Sequence, residues 1–116
     1  MVNCALLLRL EAQPGKEAEL EQFLKSALPL VEEEPETVAW FAVRMGPREF
    51  GIFDAFSSDT ARQLHLAGKV AEALKQKAAD LLSKEPIIDK IDVLADKLPG
   101  APSRIRGDLP PEAFAP

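Results

Sequence analysis

The chain has 116 residues, enough for one domain and too few for two comfortable ones. Apolar residues make up 47% and charged residues 28%, an ordinary globular composition that excludes a disordered chain. A net charge of -5 and a pI near 4.9 argue against the basic face that nucleic acid or an anionic membrane surface would need.

The N-terminal residues 1–10 carry no basic flank and no small-residue cleavage site, and Arg9 breaks an apolar run far too short to span a membrane. The single cysteine, Cys4, cannot form an internal disulfide, so a cytoplasmic location is expected. Residues 2–11 alternate, with Cys4, Leu6, Leu8 and Leu10 on one side, which predicts a strand. Pro14-Gly15 is a turn. Residues 16–34 then show Leu20, Phe23, Leu24, Ala27, Leu28 and Val31 at helical spacing, and Pro29 predicts a kink or an end near Leu28.

Thr37 to Met45 and Phe50 to Phe56 are β-rich and flank a Gly46-Pro47-Arg48 turn, the pattern of an antiparallel hairpin. Ser57, Ser58 and Asp59 are helix-capping residues. From Leu64 to Leu81 apolar residues recur at helical spacing, predicting an amphipathic helix that Gly68 can interrupt. Ile87 to Ala95 is a fourth strand. The order strand–helix–strand–strand–helix–strand predicts an α+β, ferredoxin-like βαββαβ domain over residues 1–97, a four-stranded antiparallel sheet with two helices on one face. Residues 98–116 hold five of the ten prolines and form a C-terminal arm, expected to dock on a neighbour or stay mobile.

Two helices cover one face of such a sheet, yet the strands are apolar on both sides. Phe41 and Val43 stand opposite Trp40 and Ala42, and Phe53 and Ala55 stand opposite Phe50, Ile52 and Phe56. The uncovered face therefore predicts a face-to-face homodimer.

Chemistry-bearing residues are few. His65, the only histidine, is a candidate proton acceptor or ligand anchor. On a short helix it shares an inward side with Ala61 and Leu64; on a helix continuous through Gly68 it lies off the apolar stripe. Trp40 and Arg44 share a strand face, and the hairpin register decides whether Asp54 joins them. Arg44 suits an anionic substrate or a developing oxyanion, or else pairs with Asp54. Trp40 suits a cavity or interface wall. The sequence shows no phosphate loop, metal-ligand pair or cofactor signature.

Several short pieces, in their order, resemble the antibiotic biosynthesis monooxygenase domain family of dimeric α+β barrels. They are Pro14-Gly15, Glu34-Pro35, Asp54-Ala55-Phe56, and Ala61 through His65, and the resemblance covers residues 2–96. Departures are Glu36 where the family often has Gly, Asp54 for Glu, Phe56 for Trp, and Lys69 near the usual place of a second His. The resemblance implies oxygenation of a quinol or polycyclic aromatic with dioxygen and no bound cofactor, in a cavity bounded by the dimer. It implies that His65 assists proton transfer, Arg44 steadies the anion, and Trp40 and Phe56 line the pocket for a small aromatic or apolar ligand; Asp54, flanked by Phe53 and Phe56, is a further catalytic candidate and Leu64 a further substrate-binding one. Haem degradation on this scaffold uses Asn, Trp and His, where this chain has Leu8, Phe56 and Lys75. The alternative from another class is a non-catalytic small-molecule-binding or stress-related protein of the same fold.

Overall fold

The computed structural model describes residues 2–107. The elements are β1 (Cys4–Glu11), α1 (Glu17–Ser26), α2 (Leu28–Glu32), β2 (Thr37–Arg44), β3 (Glu49–Phe56), α3 (Asp59–Leu66), α4 (Lys69–Leu81), β4 (Ile87–Asp92), β5 (Ala95–Asp96) and β6 (Arg104–Ile105). The four long strands form an antiparallel sheet in the order β2-β3-β1-β4, the expected ferredoxin-like arrangement.

Each expected helix is broken into two segments, for identifiable reasons. Pro29 lacks an N–H and lies at the start of α2, so α1 stops at Ser26. Between α3 and α4 the chain turns at Gly68, whose N–H bonds the His65 carbonyl at 3.0 Å. A methyl group on Gly68 would lie 3.2 Å from that carbonyl oxygen, so the turn is packed tightly around a residue with no side chain. At Pro14-Gly15, Gly15 has φ of 87°, a conformation that glycine adopts without strain.

All four helices pack on one face. The main core joins Leu10, Phe50 and Ile52 of the sheet to Leu20 and Leu24 of α1 and Leu74 and Leu81 of α4. Phe50 and Leu20 are fully buried, each contributing roughly 2 kcal/mol by removal of apolar surface from water. A second cluster sets Ala61 of α3 against Cys4, Leu6 and Phe56.

The other face is covered at one end by the chain itself. Val2, Ala5 and Ala55 are buried there under Ile91, Val93 and Leu98. Elsewhere on this face Phe41, paired across the hairpin with Phe53, remains 56% exposed, and Phe53, Val43 and Ile87 are also exposed. The strand expected to run on to Ala95 ends at Asp92, and Ala95 pairs with Ile105 in a separate two-stranded sheet. The arm therefore folds back on its own chain through Gly107, where the Arg106 guanidinium donates to the Asn3 carbonyl at 2.7 Å; residues 108–116 lie outside the described residues. Among the described residues no helix is long and apolar enough to cross a membrane.

Candidate functional site

The hairpin register pairs Trp40 with Asp54, Ala42 with Ile52 and Arg44 with Phe50. Asp54 thus belongs to the helix face, and its neighbour on β1 is Leu6. It is 1% exposed, a carboxylate in an apolar layer that requires a partner. The partner comes from α3. Ser58, in extended conformation, accepts a hydrogen bond from the Ala61 N–H at 3.1 Å and so caps this helix. Ala61 and His65, four residues apart, then both face the sheet and are buried.

His65 Nε2 lies 2.8 Å from Asp54 Oδ2, and His65 Nδ1 lies 2.6 Å from Glu34 Oε1. Glu34 sits in the turn after α2, where its Oε1 also accepts from the Thr37 hydroxyl at 2.8 Å. The Phe56 ring packs 5.1 Å from the imidazole. Burial is the largest single influence on the ring and favours its neutral form. The hydrogen bonds and negative charges of Asp54 and Glu34 together outweigh it, so the His65 pKa is raised above its ordinary value.

Between the sheet and α4 lies a cavity of about 490 Å³. Leu8, Ile52, Val70, Leu74 and Ile88 give it apolar walls; Asp54 and His65 are its buried polar groups, and the exposed Lys75 and Glu85 also border it. Asp54 Oδ1 is buried and has no hydrogen-bond partner. A ligand hydroxyl or acidic C–H is the group that such an oxygen would receive. The cavity lies within one chain, on the helix side of the sheet. The space forms between α4 and the sheet, on the face opposite the exposed apolar surface.

A shallower cleft of about 340 Å³ lies on the other side of the imidazole, lined by Glu33, Glu34, Glu36, Leu64 and Lys69. His65 borders both spaces.

The residues singled out from sequence separate as follows. Asp54 and His65 come together at the cavity. Leu64 is 57% exposed and borders the outer cleft instead, because the turn at Gly68 detaches it from the apolar stripe of α4. Phe56 is fully buried behind His65 and does not line the cavity. Trp40, expected as a cavity or interface wall, faces the helices and packs between the main core and a cluster of Ala27, Val31 and Val70, with its indole N–H unpartnered. Arg44 lies four residues along β2 from Trp40, roughly 13 Å away at strand spacing. There its guanidinium bonds the Gly46 and Pro47 carbonyls, approaches Glu21 at 3.7 Å and stacks on Phe50. It neither pairs with Asp54 nor reaches the cavity. Glu34 joins Asp54 at the imidazole of His65, although its only signal in the sequence is the Glu34-Pro35 turn.

Glu34 and Asp54 hold opposite nitrogens of one ring instead of converging on a point. Among the described residues, no group of three or more His, Cys, Asp or Glu side chains is placed to hold a metal ion.

This sheet order with paired helices is the antibiotic biosynthesis monooxygenase-like fold. A structure named "putative antibiotic biosynthesis monooxygenase" from Caulobacter crescentus superposes with a TM-score of 0.69 at 20% identity, covering 79% of this chain and 90% of that one. Another of the same name from Nitrosomonas europaea gives 0.72 at 11% identity, again over 79% and 90%. The chain belongs to the same family as the Nitrosomonas europaea NE2512 protein, itself of unknown function. The two are 53% identical over 87% of this chain and 98% of that one, with a TM-score of 0.85. No family model matches the chain, and no curated protein does.

Proposed function

We propose that this protein is a homodimeric, cofactor-independent oxygenase that binds a quinol or polycyclic aromatic in the cavity of each chain. The observation that carries the reading is the buried, unpaired Oδ1 of Asp54, a residue that lines a largely apolar cavity and is held by His65 through its other oxygen. Two neighbours in fold bear monooxygenase names, which supports the same reading. Asp54 takes a proton from the bound ligand, and the apolar walls exclude water from the anion that forms. For a ligand with an activated methylene, the electron-rich anion reduces dioxygen. One oxygen atom becomes the new carbonyl, and the other leaves as water with the two hydrogens of the methylene.

The exposed Phe41, Phe53 and Val43 support the dimer, because they adjoin on β2 and β3 as an apolar surface that a second copy would cover, with Ile87 exposed beyond Arg9 on the same face. Oxygen uptake with a panel of hydroquinones and anthrones tests the activity. Wild type should consume oxygen with at least one of them, His65→Ala should not, and Arg44→Ala should behave as wild type. Binding of these compounds without any uptake would replace the oxygenase with a non-catalytic binding protein.

A further inference from the structure

The imidazole of His65 is a partition. Its inner nitrogen faces Asp54 and the apolar cavity, and its outer nitrogen faces Glu34 and the cleft open to solvent. Asp54 borders only the inner space and Glu34 only the outer one. Three titratable groups thus stand in line across a wall one side chain thick.

We propose that Glu34 is the positioning residue for the cavity's proton acceptor: by taking the outer N–H of His65 it holds the ring as a doubly donating cation, whose inner N–H fixes Asp54 Oδ2 and leaves Oδ1 to the ligand. This rests on the reading of Asp54 as proton acceptor. A neutral imidazole carries one N–H and cannot donate to both carboxylates, whereas both contacts are at hydrogen-bond distance. With the ring charged, the line Asp54–His65–Glu34 carries one net negative charge. When a bound O–H or C–H gives its proton to Oδ1, Asp54 becomes a neutral acid, the electron pair stays on the ligand, and the line becomes neutral. The negative charge has moved onto the ligand, beside the imidazolium, and the total over wall and ligand together is unchanged. Other charges near the ring are Glu33, Glu36 and Lys69 in the outer cleft and Lys75 and Glu85 bordering the inner cavity. These lie at exposed positions, where solvent screens them more than it screens the two carboxylates that touch the ring.

The test is titration of the His65 ring in the full chain by nitrogen-15 NMR, with oxygen uptake on an anthrone measured alongside. Glu34→Gln keeps a carbonyl acceptor at the same reach and removes only the charge. Its ring midpoint should move down, its pH–rate profile should move with it, and uptake should fall about tenfold, the scale of one charge-assisted hydrogen bond. Glu34→Asp, which keeps the charge, should recover part of both. Thr37→Val strips Oε1 of its second donor, concentrates its charge on the ring, and should move the midpoint up. An identical midpoint in Glu34→Gln and wild type would overturn the proposal. If wild type takes up no oxygen, yet the midpoint moves down and 1-naphthol binds more weakly in Glu34→Gln, the oxygenase reading fails and the positioning role stands.

Discussion

His65 Nε2 stands 2.8 Å from Asp54 Oδ2, joining a helix residue to a strand residue eleven positions earlier in the chain. Both side chains are almost wholly buried, so the contact is made where water cannot replace it. Ser58 fixes the direction of α3 from one end and Gly68 ends it at the other. The pairing therefore depends on two local sequence features as well as on the hairpin register.

Asp54→Asn removes the proton acceptor while keeping nearly the same shape. Oxygen uptake should fall at least about a hundredfold, the usual scale for losing a general base. Asp54→Ala should also destabilise the fold by about 3 kcal/mol, since it strands a buried charged partner. Denaturant titration separates the two effects: Asp54→Asn that folds normally and still consumes oxygen at the wild-type rate would remove Asp54 from the mechanism.

Stability should depend on the ionisation of His65. The folded-state pKa is raised above its ordinary value of 6.5, so the contribution of the charged ring is complete below that value. It is lost as pH rises through the higher folded-state pKa. The melting temperature of wild type relative to His65→Gln should therefore narrow from mildly acidic to mildly alkaline solution. A gap that is constant or widens over that range would contradict the charged-ring arrangement.

Strand parity made much of the fold legible. Alternation in residues 2–11 and a turn at Gly46-Pro47 suffice to define three of the four main strands, because side chains on a strand have only two directions. The same parity puts Arg44 and Trp40 on one strand face, but it carries no information about which face that is or about position along the strand. Arg44 accordingly ends at the hairpin turn, far from Asp54. Leu64 fitted a single helical phase that Gly68 resets, and Val70 begins the new buried stripe in its place. Glu34 was invisible as a site residue, since its reach to His65 depends on the chain reversing after α2, a tertiary event 31 residues away from its partner.

The exposed face of the sheet gives a prediction about assembly. Wild type should have a solution mass of two 12.7 kDa chains. Phe41→Glu places a carboxylate at the most exposed aromatic of that face, where a closed interface would have to desolvate it. Light scattering should then report one chain, with the fold retained because Phe41 is outside the buried core. A wild-type mass of a single chain at micromolar concentration would refute the dimer directly.

The cavity can be filled without touching its polar groups. Ala71 lines it from α4, one residue beyond the buried Val70, so Ala71→Phe projects a ring toward Leu8 and Ile88. About 490 Å³ of space admits that ring, which makes severe overpacking of the core avoidable. Binding of 1-naphthol and oxygen uptake should both be lost, while the His65 titration midpoint and the melting temperature stay near wild type. Loss of binding with an intact His65 signal would separate occupancy of the cavity from the chemistry of the Asp54–His65 pair. Undiminished binding in a folded Ala71→Phe protein would instead place the ligand elsewhere on the molecule.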